Sequence, residues 1–415
     1  MVGRMRTSPA ALSCLFFALS GGSLACSSSS DTEQTAGTLA PSGGSGEAQG
    51  SATGAAGSAA GAMNAQPLPP SGSAAAGSPS SEGPNVVGIA NPGGDGATST
   101  PGAGTTPGAG ITSDAGSPSP TRGVCPTGPF AASPLPAGAT PQPICTGMTF
   151  IEGAVWFQEL GTLFFSDFQI RDAASNFNGR IMSLTPGGQG AGSQCQEFLP
   201  NSGTNGLVIG LDGNLLGARH SDQTLTRFDL TTKQTSVLVA NFNGSPFNSP
   251  NDIAIRSDGN LYFTDPSYML GNRTSVLPMQ TYRRDPSGAL SVIDTAGSPN
   301  GITLSPDETH LYLSHLGGPN DVVVFDVDAS GAVSNRQPFA NVSSDGMGID
   351  CAGNLYTTQA QTGVTVFAPD GTRIGTLPAQ GAANVAFGGP DRKTLYITAT
   401  GTLFAVELAI PGLPY

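Results

Sequence analysis

The stretch SPNGITLSPDETHLYLS, residues 298–314, contains the pattern that decides the fold. Asn300 starts an apolar run, and Leu311 starts a second run after the turn signal SPDE, so the stretch predicts a β-hairpin. The same pattern of a polar residue followed by a leucine ten or eleven positions later occurs six times: Glu152 to Leu163, Asn205 to Leu215, Asn251 to Leu261, Asn300 to Leu311, Asp345 to Leu355 and Asn384 to Leu395. Successive copies begin 53, 46, 49, 45 and 39 residues apart.

An all-β unit that recurs at this interval is typical of the blades of a β-propeller, each a four-stranded sheet around a central channel. The sequence therefore predicts the all-β fold class and a six-bladed β-propeller. Only 31 residues follow Asn384, which is enough for about three strands. We expect a strand near ICTGMTF, residues 144–150, on the N-terminal side of the globular part, to complete the sixth blade and close the ring.

The composition divides the chain into three parts. Residues 1–26 have two early arginines, the apolar run AALSCLFFALS and small residues before Cys26, as an export signal does. Because Cys26 and the serines after it resemble a bacterial lipoprotein processing site, we expect lipid on Cys26. The protein would then be held to a membrane, in the periplasm or at the cell surface, with plain secretion as the alternative. Residues 27–122 are rich in Gly, Ser, Ala and Pro and predict a disordered tether, and residues 123–415 form the propeller domain.

Charge and cysteine content narrow the function. Six of the 29 acidic and three of the 16 basic residues precede Gly123, which leaves a net charge of −10 for residues 123–415. Nucleic acid is therefore not an expected partner. The four cysteines of this part, Cys125, Cys145, Cys195 and Cys351, have no CxxC spacing. Cys125 and Cys145 are the closest in sequence and are expected to pair, with Cys195 and Cys351 as free thiols.

The geometry of a propeller gives the six polar residues a shared location. The first strand of each blade is innermost, so Glu152, Asn205, Asn251, Asn300, Asp345 and Asn384 are expected to converge at one end of the channel. Their carboxylate and amide oxygens suit a hard divalent cation, with Ca²⁺ favoured and Zn²⁺ or another ion as the alternative. The residues could also simply be turn formers that start strands.

Several phrases of this sequence resemble the gluconolactonase family, which includes senescence marker protein 30. They are EGAVWFQELGTLFFSD, SPNDIAIRSDGNLYFTDPSY, PNGITLSPDETHLYLS, DGMGIDCAGNLYTT and NVAFGGPDRKTLYITA, and the match runs from about residue 150 to residue 411. The resemblance implies a six-bladed propeller with one divalent cation that hydrolyses sugar lactones. It implies Glu152, Asn300 and Asp345 as metal ligands and Asp345 as the catalytic general base. Asn251 matches an amide that is a fourth metal ligand in some members of the family and faces the substrate in others.

The same resemblance suggests that His220 faces the channel, with a surface position as the alternative. Together with Asn205 and Asn384, His220 is expected to contact the substrate. Two departures from the family are Ala154, where proline is common, and His315, where aspartate is common. A histidine at position 315, near the channel, could therefore alter substrate choice.

The sequence thus predicts a monomeric, divalent-metal-dependent hydrolase of a small lactone, associated with a membrane only through the lipid on Cys26. Two alternatives keep the same site. One is hydrolysis of a phosphoester or organophosphate, and the other is a non-catalytic binding propeller with a structural cation.

Overall fold

A computed structural model describes residues 124–169, 178–186 and 195–413. These residues form six four-stranded antiparallel sheets, and within the described part of the chain no helix occurs. The predicted export signal, Cys26 and the tether lie outside the described residues. None of the segments described is a helix long and apolar enough to cross a membrane.

Each sheet is one blade, and its strands follow one another from the channel outward. The innermost strands of blades 1 to 6 are β2 (Ile151–Phe157), β6 (Thr204–Ile209), β10 (Ile253–Ile255), β14 (Ser298–Leu304), β18 (Met347–Ile349) and β22 (Ala382–Gly388). The second strands are β3 (Thr162–Gln169), β7 (Leu215–Arg219), β11 (Leu261–Asp265), β15 (His310–Leu316), β19 (Leu355–Gln359) and β23 (Thr394–Ala399). The third strands are β4 (Asn178–Leu184), β8 (Thr224–Phe228), β12 (Gln280–Arg284), β16 (Val322–Val327), β20 (Gly363–Phe367) and β24 (Thr402–Glu407). The outermost strands are β5 (Gln196–Leu199), β9 (Thr235–Val239), β13 (Leu290–Asp294), β17 (Val333–Ala340), β21 (Arg373–Leu377) and, for blade 6, β1 (Gln142–Thr146).

The innermost strands contact one another around a complete ring, β2 to β6, β10, β14, β18, β22 and back to β2. The six-bladed propeller predicted from the repeats is therefore confirmed. Strand β1 pairs with β24, so the predicted closing strand from the N-terminal side is confirmed as well.

The hydrophobic core lies between the blades rather than within them. Six clusters of buried side chains each join two neighbouring blades, and the cluster between blades 6 and 1 spans the closure. In that cluster the ring of Trp156 in blade 1 stacks on Tyr396 in blade 6, with centroids 5.8 Å apart. Packing between sheets therefore holds the six inner strands at fixed positions around the channel.

The predicted disulfide Cys125–Cys145 is wrong. Cys125 pairs with Cys351 and Cys145 pairs with Cys195, so Cys195 and Cys351 are not free thiols. Cys145 lies on the outermost strand of blade 6, beside the outer edge of blade 1 that carries Cys195. Cys125 instead lies against the cluster between blades 4 and 5, next to the turn that carries Cys351. Proximity in the closed ring, and not in the sequence, decides the pairing.

Candidate active site

Every blade brings one polar side chain to the same end of the channel, at or just before the start of its innermost strand. The six are those predicted from the repeat: Glu152, Asn205, Asn251, Asn300, Asp345 and Asn384. All except Asp345 are only 3–5% exposed. The structure therefore gathers the whole predicted set.

An open chain of hydrogen bonds connects these six side chains, which lie in a circle around the channel. The amide Nδ2 of Asn205 donates to Oδ1 of Asn251, and Asn251 Nδ2 donates to Asn300 Oδ1 at 2.6 Å. Asn300 Nδ2 donates to Asp345 Oδ1 at 2.8 Å. The carboxyl of Glu152 extends the chain, because it is hydrogen-bonded both to Asp345 and to the amide of Asn384.

The glycine that follows four of these polar residues has a packing role. A Cβ atom at Gly153 would lie 2.0 Å from the carbonyl oxygen of Asn205, and one at Gly346 would lie 2.3 Å from Cγ of Asn384. No side chain fits where neighbouring inner strands approach this closely. The pairing register shifts at the polar residue of blade 1, a bulge that turns Glu152 toward the channel. The EG, NG and DG phrases thus mark positions where neighbouring inner strands approach closely at the channel. Turn formation, the alternative considered from the sequence, does not by itself account for these glycines.

Burial dominates the electrostatics of the site. It raises the pKa of Glu152 well above its ordinary value, with the nearby charge of Asp345 as the second cause. Burial also raises the pKa of Asp345 to about 6, although its hydrogen bonds to Asn300 and Glu152 act in the opposite direction. Two carboxyl groups at hydrogen-bonding distance cannot both ionise readily, so in the absence of a counter-charge they share a proton.

The donor set fits a divalent cation. Glu152 and Asp345 supply two carboxylates that balance a charge of +2, and Asn251 and Asn300 add amide oxygens without adding charge. Among the side chains that the structure describes, no three His, Cys, Asp or Glu residues form a group that could hold a metal. The donors that the six gathered side chains offer are carboxylate and amide oxygens, which favour a hard ion such as Ca²⁺ over a thiolate- or imidazole-binding metal.

Asp252 is a site residue that the repeat did not reveal. It lines the channel next to the ring of six, and its carboxylate accepts hydrogen bonds from the backbone N–H groups of Ile253 and Ile302. Burial raises its pKa to about 7, and the charge of Asp345 contributes. The sequence hint for Asp252 is that the phrase PND carries aspartate where four other copies of the repeat carry glycine.

His220 lies beside the ring and not at the surface. It is 1% exposed, its imidazole stacks on Phe168 with centroids 5.6 Å apart, and it hydrogen-bonds to the side chain of Asn251. Burial lowers the pKa of His220 to about 3, so the ring is neutral at physiological pH. A neutral imidazole here can exchange hydrogen bonds but adds no charge to the site.

His315 is not among the gathered side chains. It is fully buried, and its Nδ1 lies 2.8 Å from Oδ1 of Asp321. On its other side, Nε2 lies 3.6 Å from Oδ2 of Asp294, which belongs to the outermost strand of blade 3. These partners place His315 in a cluster between blades 3 and 4, where it supports the loops around the site.

Residues 150–401 match the family described as SMP-30/Gluconolactonase/LRE-like region. A gluconolactonase of Zymomonas mobilis is 34% identical over 288 residues, which cover 64% of this chain and 80% of that protein. The pentonolactonase XacC of Haloferax volcanii is 26% identical over 292 residues, which cover 63% of this chain and 92% of that protein.

Among solved structures, the gluconolactonase XC5397 of Xanthomonas campestris superimposes with a TM-score of 0.59 at 29% identity. The superposition covers 68% of this chain and 93% of XC5397. Residues 150–401 contain blades 1 to 5, strands β22 and β23 of blade 6, and all six of the hydrogen-bonded side chains.

Proposed function

The chain belongs to the SMP-30/gluconolactonase/LRE-like family, and on that premise we propose that it hydrolyses a sugar lactone with the help of a divalent cation. Glu152, Asn251, Asn300 and Asp345 would hold this cation, with Ca²⁺ favoured. The lactonases among its relatives support the reaction class.

One observation carries the proposal. One buried and one partly buried carboxyl group meet two amide groups through hydrogen bonds at one end of the channel, and the four groups come from four different blades. Burying two acids together is costly unless a positive charge compensates them. A cation held by these four residues would compensate the charge of the two carboxylates.

The residues supply the remaining chemistry. When bound, the cation acts as a Lewis acid that polarises the lactone carbonyl. Asp345 accepts a proton from a water molecule as that water's oxygen bonds to the carbonyl carbon. The ring C–O bond then breaks, and the departing ring oxygen takes the proton back from Asp345, so the product is the open hydroxy acid. His220 and Asn205, next to the proposed ligands, would exchange hydrogen bonds with the bound lactone.

The test is proton release from glucono-1,5-lactone by the full chain, with Ca²⁺ or with a chelator. We expect turnover that depends on the metal and that falls by roughly 10²-fold or more in Asp345→Asn, because general-base catalysis contributes about that much. Asp391→Asn, an exposed aspartate in a turn, is the matched control and should retain full activity.

Ca²⁺ binding measured by calorimetry separates the alternatives. If Ca²⁺ binds tightly but no lactone is opened, the lactonase proposal fails and a binding propeller with a structural cation becomes the better account. Turnover that is unaffected by thorough chelation would contradict the metal dependence alone.

A further inference from the structure

Tyr268 is a residue of the site that neither the repeat nor the ring of six includes. It lies in the loop between β11 and β12 of blade 3 and reaches over the start of blade 4. Its hydroxyl donates a hydrogen bond to the carbonyl oxygen of Ser298 at 3.1 Å. The same hydroxyl is hydrogen-bonded to the side chain of Asn300, one of the four proposed ligands.

The loop that carries Tyr268 is fixed at its other side. The guanidinium of Arg273 donates to the carbonyl oxygens of Met269 and Leu270 within the loop, at 3.0 and 2.9 Å. It also donates to the carbonyl oxygens of His220 and Ser221 in blade 2, at 2.6 and 3.0 Å. Arg273 therefore ties the loop to the turn that positions His220, so the place of the Tyr268 hydroxyl is defined.

The hydrogen bonds of Tyr268 determine what it can still recognise. A phenol has one O–H donor and also accepts hydrogen bonds. The O–H of Tyr268 already donates to Ser298, and the Asn300 amide has N–H groups to donate to it. Toward a ligand, the Tyr268 oxygen can therefore act only as a hydrogen-bond acceptor. The side chain is 37% exposed, unlike the buried ring of six beside it, and so is open to a molecule entering the site.

We propose that Tyr268 is a specificity-determining residue whose hydroxyl accepts a hydrogen bond from a hydroxyl group of the substrate. It thereby favours polyhydroxylated lactones over lactones without hydroxyl groups. The proposal rests on the proposed lactonase function and deepens it, because the carbonyl of the substrate would lie against the ligand set that includes Asn300.

The experiment compares two lactones with the same ring size, glucono-1,5-lactone and δ-valerolactone, which has no hydroxyl groups. Tyr268→Phe in the full chain should lower kcat/KM for glucono-1,5-lactone by roughly five- to tenfold, the usual effect of one lost hydrogen bond. For δ-valerolactone the change should stay below about twofold. The matched control is Tyr262→Phe, because the phenol of Tyr262 in blade 3 also donates to a backbone carbonyl of blade 4, that of Gly331 at 2.7 Å. Tyr262→Phe should leave the ratio of the kcat/KM values for the two lactones as it is in the wild type.

Calorimetry with Ca²⁺ alone supplies a readout that does not depend on activity. Unchanged Ca²⁺ affinity in Tyr268→Phe supports the proposal, while a large loss would show that Tyr268 acts by holding Asn300 and would overturn it. An equal loss of kcat/KM on both lactones, or no loss on either, also overturns it and leaves the lactonase function standing. A wild-type protein that opens neither lactone counts against both.

Discussion

Burial is the largest cause of the raised pKa values of three acids, Glu152, Asp252 and Asp345, of which Asp345 is only partly shielded from solvent. A carboxyl group with a raised pKa in the folded protein binds a proton more tightly there than in the unfolded chain. Its contribution to stability is therefore complete below the ordinary pKa near 4 and is lost as the pH rises through the folded value. For Asp345 and Asp252 those folded values are about 6 and about 7.

The metal-free protein should consequently lose stability between pH 5 and pH 8. We expect a loss on the order of 2 kcal/mol, equivalent to about 4 °C in Tm for a domain of this size. Added Ca²⁺ should raise Tm more at pH 8 than at pH 5, because it compensates the ionised carboxylates. Thermal unfolding in chelator and in Ca²⁺ at both pH values measures this. A Ca²⁺ effect of equal size at the two pH values would contradict the prediction.

The six ring residues could be predicted from the sequence because a repeat converts spacing along the chain into a common place in space. Asp252 and Tyr268 could not. Asp252 occupies a position where most other copies have glycine, so the repeat gives no reason to expect a polar side chain there. The contact of Tyr268 with Ser298 and Asn300 depends on the path of the loop between β11 and β12, which the spacing of the repeat does not give.

At the scale of the strand, a second pattern repeats near the end of the second strand of a blade. Asp167 in blade 1 accepts a hydrogen bond from the backbone N–H of Thr149 at 2.9 Å, and Asp265 in blade 3 accepts one from Ser249 at 2.8 Å. Each carboxylate thus fixes the segment that leads into the inner strand of its own blade. In blade 4 the equivalent position is His315, which pairs with Pro299 as Asp167 pairs with Ile151.

In blade 4 this position carries no carboxylate, and the acids near it belong to other segments. Asp294 accepts the backbone N–H of Ala296 at 2.7 Å and the Nε–H of Arg336 at 3.1 Å, while His315 lies between Asp294 and Asp321. The departure from the family at this position is therefore compensated by two acids around the imidazole. A single sequence shows the histidine but not these partners, because they come from the preceding blade and from a loop.

Restoring aspartate at this position should destabilise the protein. His315→Asp would place a third carboxylate between Asp294 and Asp321 in a fully buried site, and we expect a loss of about 3–5 kcal/mol in the free energy of unfolding. His310→Asp, on the same strand but with a side chain that is 45% exposed, is the control and should cost less than about 1 kcal/mol. Denaturant unfolding of the two variants measures the difference, and equal losses would refute the role given to the cluster.

For the whole molecule, the decisive feature is the seam where the last blade is completed by the first strand. The sequence predicted the closing strand because the sixth copy is too short to supply four strands. It did not predict the disulfides, since Cys145 and Cys195 become neighbours only after the ring has closed. Their bond joins the outermost strand of blade 6 to the outer edge of blade 1 and so crosses the seam.

The two disulfides should therefore protect different parts of the ring. Replacing Cys145 and Cys195 by serine should cost about 2–4 kcal/mol and should speed hydrogen exchange in β1 and β24, because β1 then holds the seam only by its pairing and packing. The Cys125–Cys351 bond does not cross the seam, so replacing both cysteines by serine should leave exchange in β1 and β24 close to that of the wild type. This bond closes a larger loop, with a sequence separation of 226, and so it also contributes to global stability. Hydrogen exchange followed by mass spectrometry, under conditions where the global stabilities are matched with denaturant, separates the two effects. Equal acceleration of β1 in both variants would mean that the Cys145–Cys195 bond acts only on the unfolded chain and not on the closure of the propeller.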